Sequence, residues 1–368
     1  MTLTREMDRL TRALTRMGRR WPDMPAPQVL VRTPQWEFRH GALAVPHHAA
    51  SVGKVMTAAL IVAMIDEGRF GFDTPVGHLL PANEFDGLPA APGVAFGNDV
   101  TIDHLLSHTS GLPDYFDPPG GVPGSSSAGS LLKNPDRRWT PTDLLEQVRG
   151  RPAEGFPGES FAYGDTGYVV LGRIAEEQTG TAFNRLLQDR IFEPLGMEHT
   201  STPYTDATSP EDLAEVDVAP FWLGGVEASR ALAASVDWAG GGIVTTAEDL
   251  VRFQEALHGG RLVKPASLAR MSAPRNRFRA GIHYGTGMVT LRFHEFLPPL
   301  VRTAVRHLPQ PVGGLGYFGT HMYFYPEQRV HVVLNFNSHE RMGASFSTHF
   351  QFARLIAKHA RKKLAPTP

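Results

Sequence analysis

Ser51 is followed three residues later by Lys54, a spacing that on a helix sets a hydroxyl and an amine on one face within hydrogen-bond reach. A serine hydroxyl is a poor nucleophile at neutral pH and must give its proton to a neighbouring base as it attacks a carbonyl carbon. Lysine supplies that base when burial or nearby cations disfavour its ammonium form. The surroundings of Lys54 fit: Val52, Val55, Met56, Ala59, Leu60, Ala63 and Met64 make a broad apolar stripe from Ser51 to Glu67, and Gly68 stops the helix. The same Ser-x-x-Lys pattern recurs at Ser130 and Lys133, inside the stretch DPPGGVPGSSSAGSLLKNPD at 117–136. Its Gly, Pro and Ser content predicts an exposed, mobile loop that leaves the second lysine in water. Taken alone, even the first pair reads more simply as an N-cap serine beside a surface lysine.

Five further segments change that balance. They are ASVGKVMTAALIVAMIDEGRFGFDTPV at 50–76, TIDHLLSHTSGLPDYF at 101–116, PGESFAYGDTGYVVLGRIAEEQTG at 157–180, IFEPLGMEHT at 191–200 and AGGGIVTTAEDLVRF at 239–253. Their order and content resemble the serine β-lactamase-like family, which includes class C β-lactamases, D-alanyl-D-alanine carboxypeptidases and related esterases. The resemblance makes Ser51 the acylated nucleophile and Lys54 its partner. It also sets Tyr163 on the tyrosine of the family's Tyr-x-Asn element, across the cleft, where a phenol lowered in pKa by the nearby ammonium would relay the serine proton to the leaving group.

Two departures from the family pattern bear on substrate. Asp165 stands where asparagine is usual, and an ionised carboxylate accepts hydrogen bonds without donating them. It would keep Lys54 charged, favour Tyr163 as proton acceptor, and fail to donate to the acylamido carbonyl of penicillins, cephalosporins or cell-wall peptides. The family's Lys-Thr-Gly or His-x-Gly element falls on Gly314, Leu315 and Gly316, so the cation that helps to hold a substrate carboxylate is gone. That loss favours neutral esters or small amides. By the same matching, the backbone amides of Ser51 and Tyr317 form the oxyanion hole, and Gly316 lets substrate approach closely. The expected function is a serine hydrolase working through an acyl-enzyme, esterase-type in preference. D-amino-acid peptidase, β-lactamase, acyltransferase and a non-catalytic ligand-binding relative stand as alternatives.

The elements that must position these residues are legible as patterns. Gln28 to Arg32 and Gln35 to Arg39 alternate around Thr33-Pro34 as a β-hairpin. Helical patterns follow at 102–107, 141–149, 168–179, 182–191, 246–258 and 348–361, with strand-like pieces at 288–293, 322–325 and 330–335. Strands at both ends with helices between them predict an α/β (α+β) fold, a β-lactamase-like antiparallel sheet flanked by helices. One discontinuous domain would take residues 1–75 and 230–368, and a mainly helical subdomain 76–229, with the binding cleft between them. Gly240-Gly241-Gly242 reads as a close backbone approach to the nucleophile helix, because no Gly-Lys-Ser/Thr follows.

Composition removes other classes. With 36 basic and 37 acidic side chains among 368 residues, the net charge of -1 offers no field for nucleic acid. The chain has no cysteine. Its sixteen histidines contain no His-Glu-x-x-His, so neither a metal nor another cofactor is expected. His108 is better explained by packing than by catalysis. The first helix carries Leu3, Met7, Leu10, Leu14 and Met17 against Arg5, Arg9, Arg12 and Arg16. It reads as a helix covering the sheet, with a membrane-surface role as the alternative. The basic run Arg354, Lys358, Arg361, Lys362 and Lys363 reads as a solvated helix end. With no signal peptide and no transmembrane run, a cytoplasmic location is expected. The apolar insert FLPPLVRTAVRHLPQP at 296–311 could roof the site, mediate dimerisation or simply pack.

Overall fold

A computed structural model describes residues 2–116 and 126–360. Eight strands form one antiparallel sheet: β1 Gln28–Arg32, β2 Glu37–His40, β3 Asn276–Arg279, β4 Ile282–Tyr284, β5 Val289–Leu291, β6 Val312–Gly316, β7 Thr320–Tyr325 and β8 Val330–Asn335. The order across it is β2-β1-β8-β7-β6-β5-β4-β3, so the first hairpin joins the last strand, Val29 opposite Leu334 and Val31 opposite Val332.

Strand periodicity sends alternate side chains to opposite faces, and both faces are covered. Val29, Val31, Val332, Leu334 and Tyr323 pack with Leu10 and Leu14 of α1 (Leu3–Arg20) and with Phe352 and Ile356 of α6 (Met342–Ala360). Leu30, Val333 and Met322 point the other way, into a core shared with α2 (Gly53–Asp66), α3 (Thr166–Thr179) and α4 (Ala247–His258). The first helix therefore does cover the sheet, with Leu10 and Leu14 buried and Arg5, Arg9, Arg12 and Arg16 left outside. α6 begins six residues earlier than its sequence pattern suggests, at Met342, after a single turn of 3-10 helix capped by the Ser338 hydroxyl. Arg361, Lys362 and Lys363 lie outside the described residues.

Helix α2 is deeply buried. Eleven of its fourteen residues are buried, from Gly53 to Met64, because apolar or small side chains cover nearly its whole circumference. The stretch expected as a loop needs correction. Its residues 117–125 lie outside the described residues, whereas Ala128–Lys133 is a short helix with Leu131 buried against the core. Two adjacent leucines gain more by packing than the flanking Gly and Ser lose by ordering. Lys133 itself is exposed. The insert after β5 folds into a turn of 3-10 helix, Phe293–Phe296, and α5 (Pro299–Val305), and Leu308 anchors it in the core beneath α1 and α6.

Candidate active site

Ser51 sits in a turn of 3-10 helix, Ala50–Val52, directly ahead of α2. Ala50 has φ 48°, a left-handed conformation costly for a residue with a side chain. His48 holds it there: its ring Nδ1 accepts the Ala50 amide at 3.0 Å. The glycine triplet fits beneath. A Cβ on Gly241 would lie 2.4 Å from the Ala50 carbonyl oxygen and one on Gly240 2.7 Å from Asp165 Oδ1, so only glycine lets this backbone reach the nucleophile turn.

The sequence pattern brought together in space is Ser51, Lys54, Tyr163 and Asp165. Lys54 Nζ donates to Ser51 Oγ at 3.1 Å and to the Gly240 carbonyl at 2.8 Å, and it is ion-paired with Asp165. The Tyr163 hydroxyl donates to Ser51 Oγ at 2.9 Å. Lys54 is only 4% exposed, which removes the reading of an N-cap serine beside a surface lysine. The Asp165 amide donates to Asp114 Oδ1 at 3.0 Å, fixing the start of α3.

Electrostatics separate the two proton carriers. Burial by itself would lower the Lys54 pKa, but the charges of Asp165 and Asp237 and the Asp165 hydrogen bond outweigh it and hold the ammonium above its ordinary range. For Tyr163 the expectation of a lowered phenol is overturned. Burial, reinforced by the Asp165 charge, pushes it well above its usual value despite the Ser51 hydrogen bond. Burial is the larger cause, and the Asp165 carboxylate adds to it by disfavouring a second negative charge nearby. His108 stacks against Tyr163 and Tyr168 with ring centres 4.6 and 5.2 Å away, and burial drives its pKa down to about 3. It stays a neutral ring that wedges the tyrosine in place.

The end of β6 lies alongside. A Cβ on Gly316 would fall 2.6 Å from the Ala49 carbonyl oxygen, which brings the chain at Tyr317 against the nucleophile turn. Leu315, Gly316 and Tyr317 line the same cavity as Ser51, Tyr163 and Asp165. Gly314 does not. It faces α2, where a Cβ would meet Val55 Cγ2 at 2.8 Å, so the strand–helix contact fills the space that a longer side chain would need. Among the described residues no cluster of histidines and carboxylates has the arrangement of a metal site.

The cavity holds about 530 Å³. Several of its walls were not foreseen from sequence. Phe278, Ile282 and Tyr284 of the β3–β4 hairpin form one side, and Phe221, Leu223 and Val226 another. Asp237 also lines it. Burial, then repulsion from Asp165, raises that carboxyl to about 7 although Lys54 pulls it down. Its Oδ2 lies 3.7 Å from His48 Nε2. Asp114 and His48 were within reach of sequence reasoning, since they stand in or beside the segments that carry the resemblance. Asp237 had the same signal, two residues before the segment at 239–253.

Fold and site together bring one serine hydroxyl within hydrogen-bond reach of both a lysine one helical turn on and a facing tyrosine. The chain belongs to the Beta-lactamase family, whose model matches residues 45–353, and so to the β-lactamase-like serine hydrolases. It is 28% identical to Penicillin-binding protein 4* of Bacillus subtilis over 65% of this chain and 51% of that protein. It is 27% identical to Esterase EstB of Burkholderia gladioli over 74% of this chain and 71% of the esterase. The chain spans about half the length of the penicillin-binding proteins it matches, 51% and 55% for two of them. The D-amino acid amidase of Ochrobactrum anthropi SV3 superposes with a TM-score of 0.73 at 20% identity, covering 98% of both chains. That likeness concerns the fold.

Proposed function

We propose that the protein cleaves a neutral carboxylic ester or small amide through an acyl-enzyme on Ser51. The observation that carries this reading is the double hydrogen bond onto Ser51 Oγ from Lys54 and Tyr163, in a cavity whose lining is mostly apolar and whose arginine, Arg279, lies exposed on the β3–β4 hairpin. As Ser51 Oγ bonds to the substrate carbonyl carbon, its proton passes to Lys54 while Lys54 hands one of its own to Asp165. That exchange leaves Lys54 charged and Asp165 neutral, so the ammonium balances the oxyanion that forms and the site as a whole stays neutral, a favourable arrangement once substrate has displaced water. The amides of Ser51 and Tyr317 receive the developing oxyanion, each contributing on the order of 3 kcal/mol. Collapse breaks the bond to the leaving oxygen or nitrogen, which takes the Tyr163 hydroxyl proton, while Asp165 returns its proton to Lys54 and Lys54 passes one on to the phenol. Water then enters by the reverse route, and the carboxylic acid and free serine result.

A second reading is supported by the carboxylates Asp114, Asp237 and Glu227 in the cavity walls. They would receive a protonated amine, as on an amino-acid amide, and one relative of the same fold is named a D-amino acid amidase.

The test is intact mass after incubation with a fluorophosphonate probe and, separately, with p-nitrophenyl butyrate. A stoichiometric adduct that disappears in Ser51→Ala and persists in Ser130→Ala is expected. A folded wild-type protein that takes no adduct would remove the hydrolase proposal.

A further inference from the structure

We infer that α5 and the groove beside it form a docking surface for an anionic lipid bilayer. Five large apolar side chains are exposed among the described residues, and three of them fall within six residues: Phe296 at 38%, Leu300 at 96% and Val301 at 45%. A leucine left almost wholly in water at the tip of a short helix gains nothing from the fold, and such clusters mark contact surfaces.

The neighbouring groove, about 930 Å³, runs between α1, α5 and α6 over Leu10, Val305, Leu308 and Leu355. Its polar rim is basic. Arg9, Arg354 and His307 border it, and Arg302 and Arg306 stand on or directly after α5. The acidic member of the rim, Glu6, is already bonded to Lys358 at 2.7 Å and His359 at 3.2 Å. Apolar side chains that reach below the headgroups, ringed by arginines at headgroup height, are what an anionic bilayer surface selects. A second copy of this chain fits less well, because a symmetric contact would bring the same basic rim against itself.

The surface also adjoins the catalytic cavity. The Phe296 ring lies 5.3 Å from that of Phe346, and Phe346 lines the cavity that holds Ser51. Seated this way, the enzyme would present its cavity close to the bilayer surface, where amphiphilic esters and amides concentrate. The docking itself does not depend on the acyl chemistry.

Sedimentation of the full chain with vesicles of phosphatidylcholine alone, and of phosphatidylcholine mixed with phosphatidylglycerol, tests this. Wild type should bind the anionic vesicles at least about tenfold better than the neutral ones and release on raising salt. Leu300→Asp with Val301→Asp, and separately Arg9→Glu with Arg306→Glu, should each weaken binding about tenfold or more, with unchanged unfolding midpoint and unchanged labelling of Ser51. Folded wild type that does not bind at low salt overturns the proposal, as does binding indifferent to Leu300→Asp with Val301→Asp. A wild-type dimer that this variant dissociates would likewise overturn it and assign the face to a second copy. Loss of Ser51 labelling in every protein would bear on the acyl-enzyme reading alone, since vesicle binding is read separately.

Discussion

The Lys54 ammonium has three acceptors, and only Asp165 can take a proton from it; the Gly240 carbonyl holds it and Ser51 is the group it must serve. Asp165→Asn removes that exit and also the charge that holds the ammonium. The variant is expected to acylate about 10²- to 10³-fold more slowly at neutral pH and to recover as pH rises, because Lys54 must now lose its proton to solvent. A pH–rate profile of Ser51 labelling checks this, and a variant faster than wild type at neutral pH would contradict the exchange. Tyr163→Phe should lose leaving-group protonation while keeping the fold. Its turnover of a poor leaving group should fall further than that of p-nitrophenyl butyrate, a comparison of kcat values that separates a proton role from a packing one. Asp237 gives a stability test. Its carboxyl titrates near 7 in the folded protein against an ordinary value of 3.8, so the stability tied to its neutral form is complete below about pH 4 and is lost as pH rises through about 7. The urea midpoint of Asp237→Asn, relative to wild type, should therefore increase from about pH 4 to pH 8.

At the scale of elements, the site depends on how closely three backbone segments meet: the turn at Ala50–Val52, the glycine triplet and the end of β6. Gly241→Ala would place a methyl 2.4 Å from the Ala50 carbonyl oxygen. Backbone cannot yield as a side-chain tip does, so a loss of about 3 kcal/mol or more is expected, read by urea unfolding together with lost labelling of Ser51. Much of this was legible beforehand. The nucleophile helix declared itself through an apolar run ended by glycine, and the triplet through the lack of any phosphate-loop lysine. The β3–β4 hairpin did not. Its strands are four and three residues long, with Arg277 and Arg279 exposed, too short for alternation to stand out, yet it brings Phe278, Ile282 and Tyr284 to the cavity. The direction of the Tyr163 shift failed for another reason. The meeting of Asp165 with Lys54 was anticipated, but the depth at which the Tyr163 phenol is buried, the larger cause of its shift, is not written in spacing.

The whole molecule carries an acid-sensitive load. Burial drives His47, His48, His108 and His321 from 6.5 down to about 3, and His258 and His331 to about 4. Groups with folded pKa values below the unfolded ones contribute stability that is whole above about 6.5 and drains away as pH falls toward the folded values. The urea midpoint should accordingly drop between about pH 7 and pH 4, opposing and outweighing the contributions of Asp237 and Glu154, the two carboxyls that burial raises, since six rings act against them. The contact of Gly314 with Val55 has a consequence of a different kind. Restoring a cation at position 314 takes, on paper, a single substitution. Gly314→Lys alone cannot supply it, because its first carbon would meet Val55 Cγ2 at 2.8 Å, a stiff β-branched side chain on the buried helix α2. Val55 would have to shrink first, and that step by itself opens a void and confers nothing. A cation at 314 therefore takes two coupled changes, neither of which supplies it alone.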